Sequence, residues 1–317
     1  MRLVHALVGL MTVAACGDDK TAASVDAPRP IDAPADVAHD GPDLTTQTIE
    51  LAGAANGAFW DDAQHALFFT DEDAAKLMVY TDVAGVQPVM TLPTAPSYIP
   101  GGITALGGKL VTPNFGPGAT TNAANEVFVV DPSVMTGVAS TGLLETRHRI
   151  GVGVLGTTLY AATFTGTSGA PVGAVESLTI GGDGAATEAL LVFAADPGFK
   201  MLVGLVATGT SLFVSDQTQK KVFKIDVGDP NSTVSDVGAV ADADLMSMMP
   251  NGDLIVGGKM GVRRLTQAGV DTQLFSTETF DDIAGSSYDP TGKRLFFINH
   301  SSTAGTPDKL EVRPLPN

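Results

Sequence analysis

"NGAFWDDAQHALFFTDEDAAKLMVY", residues Asn56 to Tyr80, breaks into three short apolar runs, "GAFWDD", "ALFFTD" and "KLMVYTD", with "VQPVMTL" following as a fourth. The divisions between them are rich in Asp, Ala, Gly and Gln. Short runs of aromatic and β-branched residues separated by turn residues predict an antiparallel meander of four strands. The second run has counterparts along the whole chain: "DDAQHALFFTD", "LGGKLVTPNF", "LGTTLYAATF", "TGTSLFVSDQ", "PNGDLIVGGK" and "PTGKRLFFIN". Their leucines, Leu67, Leu110, Leu159, Leu212, Leu254 and Leu295, lie 43, 49, 53, 42 and 41 residues apart by subtraction. A period of about 40 to 50 residues, each unit holding several strands, is that of β-propeller blades.

The last unit supplies only "AGSSYD", "RLFFIN" and "KLEVRPL" before the chain ends. The fourth strand is expected from the other terminus, where "TQTIELA" (Thr46 to Ala52) has strand character. Pairing it outside Lys309 to Leu315 closes the ring and covers two open edges. The expected fold is therefore all-β: a six-bladed propeller of four-stranded blades over residues 45–317, closed by an N-terminal strand. Residues 44–317 lack a long run with helical period and caps, which excludes mainly helical and Rossmann-type architectures. Composition agrees, with 36 glycines, 17% charged residues and 6% aromatic residues in 317. Such a chain makes many tight reversals around an aliphatic core.

Ahead of the repeats, Arg2 precedes an apolar run from Leu3 to Ala15. Thirteen residues fall short of the roughly 20 needed to span a bilayer as a helix, and match a signal-peptide core instead. Val13-Ala14-Ala15-Cys16 resembles the lipobox of bacterial lipoproteins, and Cys16 is the single cysteine of the chain. Residues 1–15 are thus expected to be a lipoprotein signal peptide and Cys16 the lipidated residue, leaving no disulfide. Residues 16–44 form an acidic Asp/Ala/Pro tether, in which seven Asp against Lys20 and Arg29 leave a charge of −5. It has too little apolar surface to offset the entropy of ordering. The net charge of the chain is −17, which argues against nucleic acid and against anionic lipid as partners.

The opening "NGAFWDDAQHALFFTD" also resembles blade one of the senescence-marker/gluconolactonase/regucalcin family of six-bladed propellers, and later phrases are shared with NHL-type propellers as well. The family resemblance implies one divalent cation, calcium among the candidates, at the mouth of the central channel, held by Glu, Asn and Asp from three blades. Hard cations take oxygen ligands, and a bound one would polarise a lactone carbonyl or activate water. Carried over by position, the Glu falls on Asn56, the Asn on Val203 and the Asp on Asp244. Only the Asp is kept. The family's Arg-x-Asn-x-Gly substrate motif falls on Arg147-His148-Arg149-Ile150-Gly151, so Arg147, His148 and Arg149 are candidates for an anionic ligand at the channel mouth. An equally open reading is that they neutralise nearby acids.

Other signals are weaker. Gly151-Val152-Gly153-Val154-Leu155-Gly156 matches GxGxxG, which binds dinucleotides only between a strand and a helix N-terminus; here the glycines are expected to let inner strands crowd the axis. Asp71 and Asp216 recur at one blade position and read as turn caps. His5 falls in the signal, His39 in the tether, His65 in a hairpin turn and His300 at a strand end. No zinc spacing, P-loop or nucleophile elbow is present, and no residue is singled out as catalytic. The expected function is a non-enzymatic binding module: an exported, membrane-anchored lipoprotein of the periplasm or outer membrane, monomeric, taking a protein or small-molecule ligand. The alternative is a divalent-metal-dependent lactonase-like hydrolase with a site rearranged around Asn56, Asp244 and neighbours such as Asp242, Asp281 or Asp282.

Overall fold

Each of the six repeats becomes a sheet of four antiparallel strands in the computed structural model, which describes residues 45–316 apart from 93–99, 116–125, 141–142, 144–146, 168, 182–184, 192, 194–197 and 229–232. Cys16, the signal segment and the whole tether lie outside the described residues, as do His5 and His39. The innermost strands of blades one to six are Ala55–Asp61, Thr104–Leu106, His148–Leu155, Leu202–Thr208, Met246–Met248 and Asp282–Asp289. No α-helix occurs among the described residues.

The six repeated leucines all fall on the second strand of their blade, and all are buried. That equivalence lets six separate apolar clusters form, one per seam between neighbouring blades. Side chains alternate across a strand, so one strand feeds two seams. Phe68 packs with Leu110, Phe128 and Val130 of blade two, whereas Leu67 and Phe69 face Phe296, Ile298 and Leu310 of blade six. In that last seam Trp60 stacks on Phe296 with centroids 5.0 Å apart, and the Arg294 guanidinium lies over both rings. A stacked aromatic pair contributes about 0.5–1.5 kcal/mol beyond its buried area.

Ring closure uses both ends of the chain. Gln47–Glu50 pairs antiparallel with Lys309–Pro314 as the outermost strand of blade six, in the register Gln47↔Val312 to Glu50↔Lys309. The Thr48 hydroxyl adds a 2.6 Å bond to Glu311, and the Leu51 amide donates to the Asp308 carbonyl.

At the axis, glycine sets how closely blades approach. A Cβ on Gly151 would sit 2.4 Å from the Leu205 nitrogen and 2.5 Å from the Val203 carbonyl of blade four. Gly57, with φ of 57°, would meet the Gly101 carbonyl of blade two at 2.4 Å. The GxGxxG run therefore serves strand contact and a hairpin, with Gly156 in the turn at φ 61°. Inner strands are also tied directly: the Gly102 amide donates to the Ile150 carbonyl at 2.8 Å. Ser215 Oγ accepts from the Gly204 amide and donates to the Asp244 carbonyl.

Candidate functional site at the channel rim

Four innermost strands carry a β-bulge at their first residues: between Asn56 and Ala58, Arg149 and Val152, Leu202 and Leu205, and Ile283 and Gly285. Each inserts one extra residue opposite the second strand, a feature that re-aims side chains next to functional sites. All four lie at the same end of the ring. There a cavity of about 270 Å³ opens, lined by Asn56, Pro100, Gly101, Phe115, Ile150, Phe164, Met201, Val203, Gln217 and Asp244. Asn56, Val203 and Asp244, the three positions carried over from the family by sequence alone, line the same cavity. Further along the same strands Ala58, Ile103, Val152, Leu205 and Met246 enclose a second space of about 20 Å³, room for roughly one water.

The cavity wall has two characters. Blades two to four contribute Phe115, Ile150, Phe164, Met201 and Val203. Blade five contributes Asp244 and blade one Asn56, while Asp282 of blade six and Glu72 of blade one act on Asp244 from outside the lining. Burial pushes the Asp244 carboxyl up to about 7, reinforced by the negative charges of Asp282 and Glu72 and opposed by the Leu245 amide and Lys259. Glu72 is also held above the usual carboxylate range by burial, although it accepts a 2.6 Å bond from Asn56 Nδ2. Asp282 is raised by burial too, against the pull of Lys259 and His300, and its Oδ1 is enclosed without a hydrogen-bond partner. Behind them His300 Nδ1 donates to Asp308 Oδ2 at 2.8 Å, which raises the imidazole. Burial works against the Asp308 carboxylate, yet bonds from His300 and from the Ser301 and Ala55 amides hold it below the ordinary range.

Of the two sequence readings of the Arg147 to Arg149 cluster, the arginines follow the second, pairing with nearby acids, and none of the three residues lines the cavity. Arg149 is buried within blade three, its Nε 2.8 Å from Glu176 and its Nη2 3.1 Å from Glu188. Arg147 Nε lies 3.3 Å from Glu176. Burial and the Glu188 carboxyl push Glu176 up to about 8 in spite of both guanidiniums. The reason is register: Glu176 and Glu188 share a face with Leu178, which packs against blade two, so the arginines are drawn into that seam. His148 is likewise buried, bonded through Nδ1 to the Phe115 carbonyl and packed against both the Phe115 and Phe164 rings. Asp71 and Asp216 cap their turns, accepting from the Ala74 and Gln219 amides at 2.9 Å.

The sequence reading took Asp71 and Asp216 as turn caps and His300 as a strand-end histidine, and passed over the other ends of the second strands. Their last residues lie opposite the first residues of the innermost strands, as in the pairs Ala55↔Asp71 and Asn56↔Thr70. Glu72, Phe115, Phe164, Gln217 and His300 all stand at this end of a second strand, at the rim. Each follows the "LFFTD", "LVTPN", "LYAAT", "LFVSD" or "LFFIN" phrase, a signal readable from the repeat alignment.

A divalent cation does not fit these residues. Val203 has no donor atom; Asn56 turns its amide nitrogen to Glu72 and the Pro100 carbonyl, and its Oδ1 to the Gly57 amide. Among the described residues there is no group of three His, Cys, Asp or Glu able to hold a metal ion. Calcium takes six to eight oxygens, and one lining carboxylate falls well short.

With this geometry in place, comparison with solved structures is informative. A luciferin-regenerating enzyme superposes with a TM-score of 0.61 at 12% identity, covering 85% of this chain and 95% of that one. A gluconolactonase from Xanthomonas campestris gives 0.60 at 15% identity over 87% and 95%. A calcium-binding regucalcin from Agrobacterium tumefaciens gives 0.60 at 12% over 92% and 97%. The fold is the six-bladed propeller of these proteins. No protein-family model matches the chain, and no curated protein matches it in sequence. At such identities the likeness carries architecture, and function rests on the site.

Proposed function

We propose that this protein is an exported, lipid-anchored propeller that binds a small ligand in the rim cavity and does not turn it over. The observation that carries the reading is the composition of that cavity. The position where gluconolactonase-like propellers need their first acid is Asn56, the partner position is Val203, and Asp244 remains as the single carboxylate in the wall. A cup of about 270 Å³ with a largely apolar lining and a few convergent polar groups is near the lower end of small-molecule sites. The anchor is Cys16, at the end of the signal-like segment.

Thermal melting of the full chain with calcium, zinc or manganese, compared with chelator, tests the reading. No metal-dependent shift and no hydrolysis of sugar lactones are expected. A shift that disappears in Asp244→Ala, accompanied by lactone hydrolysis, establishes the rival metal-dependent hydrolase instead.

A further inference from the structure

We infer that the rim cavity selects an organic monoamine, bound as its ammonium ion with the charged nitrogen against Asp244 and the apolar body against Phe115, Phe164 and Met201. The inference rests on the cavity being a ligand site and adds the chemical class.

Its first support is the division of the wall. Phe115, Ile150, Phe164, Met201 and Val203 offer an apolar half with two aromatic rings, whereas Asn56, Gln217 and Asp244 supply the polar positions. A molecule lying across the cup needs one apolar end and one polar end. The sign of the polar end follows from what surrounds Asp244. Asp282 on blade six and Glu72 on blade one both stand close enough to destabilise its charge. Lys259, an exposed side chain of blade five, and the Leu245 amide are the opposing groups. Arg147 and Arg149 are engaged with Glu176 in the seam and do not compensate it. Asp282 Oδ1 is enclosed, with no hydrogen-bond donor reaching it from the described residues. Against Asp244, Asp282, Glu72 and Asp308 stand Lys259 and His300, and His300 is tied to Asp308, so the acid side of the rim is short of positive charge and an incoming cation supplies it.

The kind of cation follows from donor count. Six to eight oxygens for calcium are missing, but an ammonium group has three N–H donors and is satisfied by few acceptors. Asp244 and Gln217, each with a side-chain oxygen acceptor, line the cavity, and the Phe115 and Phe164 rings favour a cation nearby. Among these wall residues an anionic ligand meets the Asp244 carboxyl and no guanidinium.

The test is calorimetric titration of the full chain, in chelator, with 2-phenylethylamine, 2-phenylethanol and 3-phenylpropanoate. The amine is expected to bind at pH 8, with the alcohol and the acid at least tenfold weaker. Its affinity should fall about tenfold from pH 8 to pH 6, as a carboxyl titrating near neutrality goes from about nine-tenths to one-tenth ionised. Asp244→Asn should lose at least tenfold in amine affinity while remaining folded, and Asp236→Asn, at the exposed Lys221 pair of blade four, should bind unchanged. Equal binding of amine and alcohol, or an unaffected Asp244→Asn, overturns the inference. If the alcohol or the acid binds best and Val203→Trp abolishes it, the cavity remains the ligand site and the amine class falls. If none of the three probes binds, both readings fall.

Discussion

Replacing Asp244 by Asn should stabilise the protein, by an amount that depends on pH. The Asp244 carboxyl is raised from 3.8 to about 7 in the fold, mainly by burial and then by Asp282. Each unit of difference corresponds to about 1.36 kcal/mol, so ionising this group in the folded state costs up to about 4 kcal/mol. An acid whose folded value is raised binds more protons folded than unfolded between pH 4 and pH 7. Stability from this group is therefore present at low pH and lost as pH rises through that window. Asparagine keeps an oxygen for the Leu245 amide and carries no charge to desolvate. Asp244→Asn should match the parent near pH 4 and exceed it by up to about 4 kcal/mol at pH 8. Urea unfolding of both proteins across pH 4 to 8, in chelator, reads the difference, which includes the relief of Asp282 and Glu72 from the Asp244 charge; Glu176, which does not act on Asp244, contributes the same slope to both and cancels. A variant less stable than the parent at pH 8, or a difference that does not change with pH, refutes the account of a desolvated, uncompensated acid at the rim.

Further expectations follow from other positions. Arg149→Met leaves Glu176 and Glu188 buried without their main cation, and removal of one partner from a buried pair costs about 3–5 kcal/mol, measurable by urea unfolding at pH 9, where Glu176 is ionised. Gly151→Ala puts a methyl group 2.4 Å from the Leu205 nitrogen, so it should lower the melting temperature by more than a surface Gly→Ala change at Gly108, where a Cβ meets nothing within 4 Å, although the positive φ there adds its own smaller cost. Deleting residues 45–50 exposes the Lys309–Pro314 edge and should promote self-association in light scattering, whereas deletions before 44 should not. Metabolic labelling with an acyl analogue should depend on Cys16, and labelling that persists in Cys16→Ser refutes the anchor.

Blade number, strand order and the closing strand were legible because they depend on local patterns that repeat. Turn residues followed by an apolar run locate the second strand of every blade, and the shortage of one strand at the C-terminus together with a surplus at the N-terminus leaves one way to close a ring. Even the rim could be approached from sequence. Asn56, Val203 and Asp244 are 147 and 41 residues apart by subtraction, yet equivalent positions in a repeat converge at the axis, and the three do share a cavity. The direction of a charged side chain was not legible. Arg149 and Asp244 both sit near the start of an innermost strand, but one turns into a seam toward Glu176 and the other into the cavity. For Arg149 that choice depends on a bulge in the register and on Glu176 and Glu188 brought over from neighbouring strands, and for Asp244 the charge it carries there is set by Asp282 and Glu72 of other blades. A repeating pattern determines which residues reach the axis, because strand period and blade length are local. Which of them keeps an unsatisfied charge is decided by desolvation and by neighbours distant in the chain, and these exist only once the ring has closed.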